Sequence, residues 1–235
     1  MSRKHIFAKV RPFETIYFAM DITHLGHSSF MLKGKTATVV TDPFDPKKVG
    51  IKYPKVSADI VTVSHDHDDH NNAAAVSDVK KVISGPGEYE INEVSIIGLS
   101  SYHDAKKGED RGRNTIYVFE MDGVRLVHLG DLGHELTEKT VDEMGEVNVL
   151  MIPVGGVYTI DSKQASEVAK SIEANIVIPM HYKTAKKDEK TFGKLEGYDA
   201  FLSEVGLSVE KEKKLKVKSS DFVTDEQKAV VLQTK

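Results

Sequence analysis

The chain has 235 residues, of which 40% are hydrophobic, and carries a formal net charge of −4 from 32 basic and 36 acidic side chains. That size and apolar content suffice for one α/β domain, and the acidic balance disfavours a protein that holds nucleic acid by bulk charge. Cysteine is absent, so disulfides and thiolate metal ligands are excluded and any metal must rest on His, Asp, Glu or backbone oxygen.

The N-terminal "MSRKHIFAKVRPFETIYFAMD" begins basic, but Lys9, Arg11, Pro12 and Glu14 break its apolar run. No signal peptide, transmembrane helix or membrane insertion is therefore expected, and the location reads as cytoplasmic. Residues 1–19 read as an extension packed on the core, with "HIFAKV" as an edge strand. Four β-rich runs follow: "TIYFAMDITHL", "SSFMLKG", "TATVVTD" and "ADIVTVS". After them "DHNNAAAVSDV" reads as the start of a helix.

Further strands are expected at "KKVISG", "VSIIGLSSY", "TIYVFEMDG" and "VRLVHLG", with a hairpin turn through Asp122 and Gly123. The second half then alternates strand and helix. "EVNVLMIPV" reads as a buried strand, and "DSKQASEVAKSIEA" as a helix with Asp161 and Gln164 placed as a capping box. Its apolar face is Ala165, Val168, Ala169 and Ile172. "ANIVIPMH" returns as a strand, "YDAFLSEVG" as a helix ended by Gly206, and "KEKKLKVK" as an exposed edge strand guarded by lysines. Sheets covered outside by helices follow from this order. A short echo between "ITHLGHSS" and "LVHLGDLG" fits a duplicated sheet architecture or chance.

The chemistry is concentrated in "SHDHDDH", residues 64–70, straight after an apolar strand. His65 and His67 can turn toward one point, Asp69 and His70 toward a second a few ångströms away. Borderline metals such as zinc take imidazole and carboxylate together. Four ligands cannot close two shells, so partners must come from elsewhere. His103, Asp131 and His181 share one placement, a polar residue at the C-terminal end of an apolar strand, and neighbouring strands would bring them to one edge. Asp66 and Asp68 point away by alternation.

These motifs resemble the metallo-β-lactamase fold superfamily. "HDHDDH" fits its His-x-His-x-Asp-His signature, and His103, the Gly130-Asp131 pair and His181 follow in order. "LGHSSF", "HLGDLGH", "MIPVGG" and "IPMHY" look like the branch of metal-dependent hydrolases similar to L-ascorbate phosphate lactonase. That branch is related to phosphodiesterases acting on N-acyl phosphatidylethanolamine. The resemblance implies an α/β (α+β) fold, a four-layer αββα sandwich spanning residues 1–235 as a single domain, with the metal site at one edge of two sheets.

It also implies a ligand set. His65, His67 and His103 would hold a first metal, Asp69, His70 and His181 a second, and Asp131 would bridge them. The expected cofactors are two divalent ions, zinc first, with Mn, Ni or Fe and single occupancy as alternatives. A water held by such ions loses a proton near neutral pH, its pKa falling to about 7, and the hydroxide attacks an ester carbonyl or phosphorus. Asp69 would orient it and carry the proton to the leaving group. The expected activity is hydrolysis of a small ester-type substrate, a lactone or phosphodiester carrying a phosphate. The alternatives are a phosphodiesterase or nuclease acting on nucleic acid, and a non-catalytic metal-binding regulatory protein of the same fold. Homo-oligomer formation is left open.

Softer candidates surround that set. His27 would sit beside the site, touching a ligand or the substrate. Gly155, Gly156 and Tyr158 in "VGGVY" offer backbone amides to an anion or form a tight turn. Arg111, Arg113 and Asn114 in "EDRGRNT" could bind a phosphate or carboxylate. His24, His128 and His134 read as strand-end packing or hydrogen-bonding residues.

Overall fold

A computed structural model describes residues 18–222, 224 and 226–234. The edge strand expected at "HIFAKV" lies outside them. In chain order the first half holds β1 (Met20–Gly26), β2 (Ser29–Lys33), β3 (Thr38–Thr41), α1 (Pro46–Val49), β4 (Val56–Ser57), β5 (Ile60–Val63), β6 (Val76–Ser77), β7 (Lys81–Ser84), β8 (Gly87–Ile91) and β9 (Val94–Tyr102). The second half holds β10 (Arg113–Met121), β11 (Val124–His128), α2 (Glu138–Met144), β12 (Val149–Pro153), α3 (Ser162–Ile172), β13 (Ile176–Met180), α4 (Glu189–Phe192), α5 (Tyr198–Val205), β14 (Ser208–Glu212), β15 (Leu215–Val217) and β16 (Lys228–Leu232).

One sheet has six strands in the order β15-β1-β2-β3-β5-β7, a second has eight in the order β14-β16-β13-β12-β11-β10-β9-β8, and β4 and β6 pair as a small third. The strands of the two large sheets look continuously apolar because both faces are buried. Alternation along each strand divides the side chains between two cores. Tyr117 and Phe119 of β10, with Val149 and Met151 of β12, meet Phe30, Val39 and Ile60 of the other sheet in a shared middle layer. Ile116, Val118, Leu150 and Ile152 face the opposite way, onto Ala165, Val168 and Ile172 of α3 and Phe201 of α5. Val40, Val61 and Val63 pack outward under Phe44, Val49, Phe192 and Leu195. Helix, sheet, sheet and helix are thus the four layers of the αββα sandwich.

Several local expectations hold for the reasons that motivated them. Asp122 (φ 53°) and Gly123 (φ 74°) close the β10–β11 hairpin, both in the left-handed region a type I′ turn needs. Asp161 accepts from the Gln164 backbone N–H at 2.8 Å while Gln164 Oε1 accepts from the Asp161 N–H at 3.1 Å, which completes the capping box of α3.

Two expectations are corrected. No helix starts after the histidine loop; there is a tight turn and a single 3-10 turn, Ala73–Ala75. The His70 and Asn71 N–H groups both bond back to the His67 carbonyl, and the Asn72 N–H is drawn to the Pro43 carbonyl at 2.7 Å. Val76 then pairs with Val56, so too few residues remain free to nucleate a helix. "KEKKLKVK" is two strands: β14 edges the larger sheet and β15 edges the smaller, pairing with β1. Its lysines do stand on edges. Strand β8, which sequence reading missed, pairs with β9.

The directions of the strands place the site. Strands β3 and β5 run parallel in one sheet, and β9, β11 and β13 share a direction in the other. Among the described residues no helix is long and apolar enough to cross a membrane.

Candidate metal centre

Strand ends deliver the polar residues: Asp42 after β3, the 64–70 loop after β5, His103 after β9, Asp131 after β11 and His181 after β13. Asp131 is the hub. Its Oδ2 stands 3.2 Å from His181 Nε2, 3.3 Å from Nε2 of both His70 and His103, and 4.0 Å from His65 Nε2. All five side chains are buried. Donors about 2.1 Å from one tetrahedral ion stand about 3.4 Å apart, the spacing seen here. His65 Nε2, His70 Nε2 and Asp131 Oδ1 have no hydrogen-bond partner. Buried polar atoms are seldom left so, and a cation among them would satisfy all three. The residues present therefore fit a metal.

A grouping of His65, His70 and Asp131 shares one histidine with each of two others. His65, His67 and His103 offer ligand atoms within 4.8 Å of one another, with His67 on the exposed side. His27, Asp69, His70 and His181 form a second such group, mostly buried. The structure thus brings together all seven residues expected as ligands and adds His27. Asp66 and Asp68 stay outside; Asp66 takes a hydrogen bond from Asn71 Nδ2 at 2.6 Å and Asp68 pairs with Lys48 at 2.7 Å.

A hydrogen-bond shell behind the ligands fixes which imidazole nitrogen faces inward. Ser64 Oγ donates to Asp42 Oδ2 at 2.6 Å, so it must accept from His65 Nδ1 at 2.9 Å. His70 Nδ1 donates to the same Asp42 oxygen at 2.9 Å. With Nδ1 carrying the proton in each ring, both Nε2 lone pairs point at Asp131. Burial lowers the His65 pKa to about 3, so the ring stays neutral, as a ligand must. Burial alone would raise Asp42, but the His70 hydrogen bond and the surrounding imidazoles hold its carboxyl below the usual range.

Asp131 reaches the hub through a tight turn built on a glycine. Gly130 has φ +58°, and a Cβ there would lie 2.3 Å from Asn114 Oδ1. Asn114 Oδ1 accepts from the Asp131 N–H at 3.0 Å, while its Nδ2 donates to the Leu129 carbonyl and to Ser101 Oγ. Every polar atom of this buried amide is occupied by the protein. The Asn114 amide, considered above for an anion contact, faces the Asp131 turn.

The remaining candidates scatter. Arg113 opens β10 and is exposed. Arg111 donates to the Val157 carbonyl at 3.2 Å and lies 5.7 Å over the Tyr158 ring. Tyr158 donates to the Thr191 carbonyl at 2.8 Å. Gly155 leaves room for the His181 carbonyl, which a Cβ would meet at 2.2 Å, and Gly156 has φ +64°. "VGGVY" is therefore a close-packed turn that seats His181. His24, His128 and His134 bond backbone groups at strand ends, as expected.

Sequence reading missed Asp42, Ser64 and Lys187. Asp42 carried the same signal as the expected ligands, an acid closing an apolar strand. Ser64 and Lys187 carried none. Lys187 is buried, with Nζ 2.7 Å from His27 Nδ1 and 2.9 Å from the Tyr182 carbonyl. His27 Nε2 in turn lies 3.0 Å from Asp69 Oδ2.

The fold and this site define a beta-lactamase superfamily protein, and the chain belongs to that superfamily: the family model described as Beta-lactamase superfamily domain matches residues 21–181. It is similar to a UPF0173 metal-dependent hydrolase of Archaeoglobus fulgidus, 28% identical over 209 residues, covering 74% of this chain and 90% of that protein. A relative of the same description from Korarchaeum cryptofilum is 30% identical over 190 residues, 69% of this chain and 83% of that protein. A crystal structure of a proposed Zn-dependent hydrolase of the metallo-beta-lactamase superfamily from Thermotoga maritima superposes with a TM-score of 0.73. It is 40% identical and covers 92% of this chain and 100% of its own. The protein is a metal-dependent hydrolase of this superfamily.

Proposed function

We propose that the two groupings hold two divalent ions, zinc in the first instance, and that the protein hydrolyses a small lactone or phosphodiester carrying a phosphate. His65, His67 and His103 would bind one ion, Asp69, His70 and His181 the other, with Asp131 between them. The observation that carries this reading is the Asp131 carboxylate ringed by four buried imidazole nitrogens. Bound there, divalent ions supply a nucleophilic oxygen at neutral pH and polarise the electrophile.

The chain's own residues do the rest. Asp69 is the only half-exposed carboxylate of the set, so it alone can meet both the attacking oxygen and a leaving group. Burial would raise its carboxyl, but the His70 ring and the His27 hydrogen bond outweigh that and keep it ionised, an acceptor able to orient the attacking oxygen. A cavity of about 430 Å³ lies beside His27 and Lys187, lined in part by Lys52, Lys186, Tyr182 and Thr184, and none of the seven proposed ligands lines it. The resemblance to the lactonase branch supports a small, negatively charged substrate.

The test is metal analysis of the purified protein followed by a panel of phosphorylated lactones and phosphodiesters. Turnover that is lost on chelation and in His67→Ala supports the reading. Turnover indifferent to both rejects it.

A further inference from the structure

Lys187, His27 and Asp69 form a chain of two hydrogen bonds that ends on the metal centre, and each link has a direction. Lys187 Nζ faces His27 Nδ1 at 2.7 Å, and His27 Nε2 faces Asp69 Oδ2 at 3.0 Å. Burial pushes Lys187 down to about 7, yet in either protonation state its Nζ keeps N–H groups to donate to a lone pair on the Nδ1 opposite it. A carboxylate offers only acceptors, so the Nε2 opposite it must carry the proton. Both neighbours demand the same tautomer of His27.

We infer that Lys187 is a positioning residue: it locks His27 in the Nε2–H form, so that His27 is a hydrogen-bond donor to Asp69 and not a metal ligand. The distinction matters because His27 offers a ligand-type atom within 4.8 Å of those of Asp69, His70 and His181. Distance alone would count it as a fourth ligand. A nitrogen that carries a proton has no lone pair to give, and Lys187 and Asp69 together place that proton on Nε2.

The surroundings leave the lock little freedom. His27 sits at φ 53° in the left-handed region and its carbonyl accepts from the His181 N–H at 3.1 Å, so its backbone is held. Its ring lies 4.2 Å from that of His181 and 5.0 Å from that of Phe192, centre to centre. Lys187 is tied by its second bond to the Tyr182 carbonyl at 2.9 Å. With Oδ2 held by His27, the Asp69 carboxylate cannot turn freely. Its other oxygen is then presented in one orientation, which is what a group that aligns an attacking water requires.

The chemical consequence rests on the role proposed above for Asp69; the tautomer does not. The experiment separates them. The ¹⁵N-histidine NMR spectrum of the metal-free wild-type protein, with His27 assigned through His27→Gln, reads the protonated nitrogen directly. We expect Nε2–H with an unprotonated Nδ1, and in Lys187→Met a measurable rise in the Nδ1–H tautomer, because Asp69 alone then holds the proton on Nε2. The same variant in the zinc-loaded enzyme should lower kcat by about ten- to a hundredfold with KM and metal stoichiometry unchanged. A wild-type spectrum showing a proton on His27 Nδ1 overturns the inference without reference to any variant, and so does a Lys187→Met spectrum identical to wild type. An enzyme without turnover on the panel would strike the hydrolytic reading while the tautomer still stands or falls on the spectrum.

Discussion

Asp42 Oδ2 lies 2.9 Å from His70 Nδ1, with both side chains closed off from solvent and 28 positions apart in sequence. This carboxylate also receives the Ser64 backbone N–H at 2.7 Å and the Ser64 hydroxyl at 2.6 Å. One acid thereby aims two imidazoles, His70 directly and His65 through Ser64. Asp42→Asn keeps the shape but replaces an acceptor with a donor. Metal affinity should fall by about ten- to a hundredfold, read by competition against a chelator of known affinity. An affinity equal to wild type would mean that the imidazoles are aimed by packing alone.

Metal stoichiometry distinguishes the two groupings. The wild-type protein should bind two equivalents by elemental analysis, and His67→Ala one, since His67 belongs only to the first grouping. Asp131→Ala should lose both, because its carboxylate touches ligands of each. Zinc at a thousandfold excess over its dissociation constant stabilises the folded state by about 4 kcal/mol. For a chain of this size that raises Tm by roughly 8–16 °C. A Tm unmoved by zinc would remove the metal centre from the folded state.

Tyr117 ties the sheets together beneath the histidine loop. From β10 its hydroxyl donates to the Val63 carbonyl at 3.0 Å and accepts from the Gly85 N–H at 3.0 Å, across to the smaller sheet. Val63 is the last residue of β5 before the loop. Tyr117→Phe takes a partner from the buried Val63 carbonyl and from the half-buried Gly85 N–H, and should cost about 2 kcal/mol in denaturant unfolding. A cost near zero would show that water replaces the hydroxyl.

Asn114 offers a choice between two roles that kinetics can settle. An anion contact would raise KM when lost. A brace for the Asp131 turn, the role its three internal hydrogen bonds describe, would instead weaken metal binding and stability together. Asn114→Ala should destabilise the fold by about 2–3 kcal/mol and reduce metal content at sub-saturating zinc. Full metal content with a raised KM alone would reverse the assignment.

Much of this protein was legible before its fold was known. The histidine loop, the strand-end positions of His103, Asp131 and His181, the hairpin at Asp122-Gly123 and the capping box of α3 each depend on a few neighbouring residues. Periodicity, turn chemistry and ligand spacing are read within such windows. The helix expected after His70 failed at the same scale for a non-local reason: Asn72 is drawn to Pro43 and Val76 to Val56, and these contacts override the alanines.

What the chain order alone decided is therefore most of the inventory: the main apolar strands, which of their ends carry metal-binding groups, and that no thiolate takes part. Tertiary structure decided how those groups are aimed. Lys187 sits in "HYKTAKKDEK", where a lysine is ordinarily solvated, yet it is buried against a histidine 160 positions away. Asn114 looked outward in sequence and is turned inward to the Asp131 turn. A hydrogen bond at 3 Å is set by how two sheets stack and where their strands end. That register is a property of the packed core as a whole, and no short window of sequence contains it.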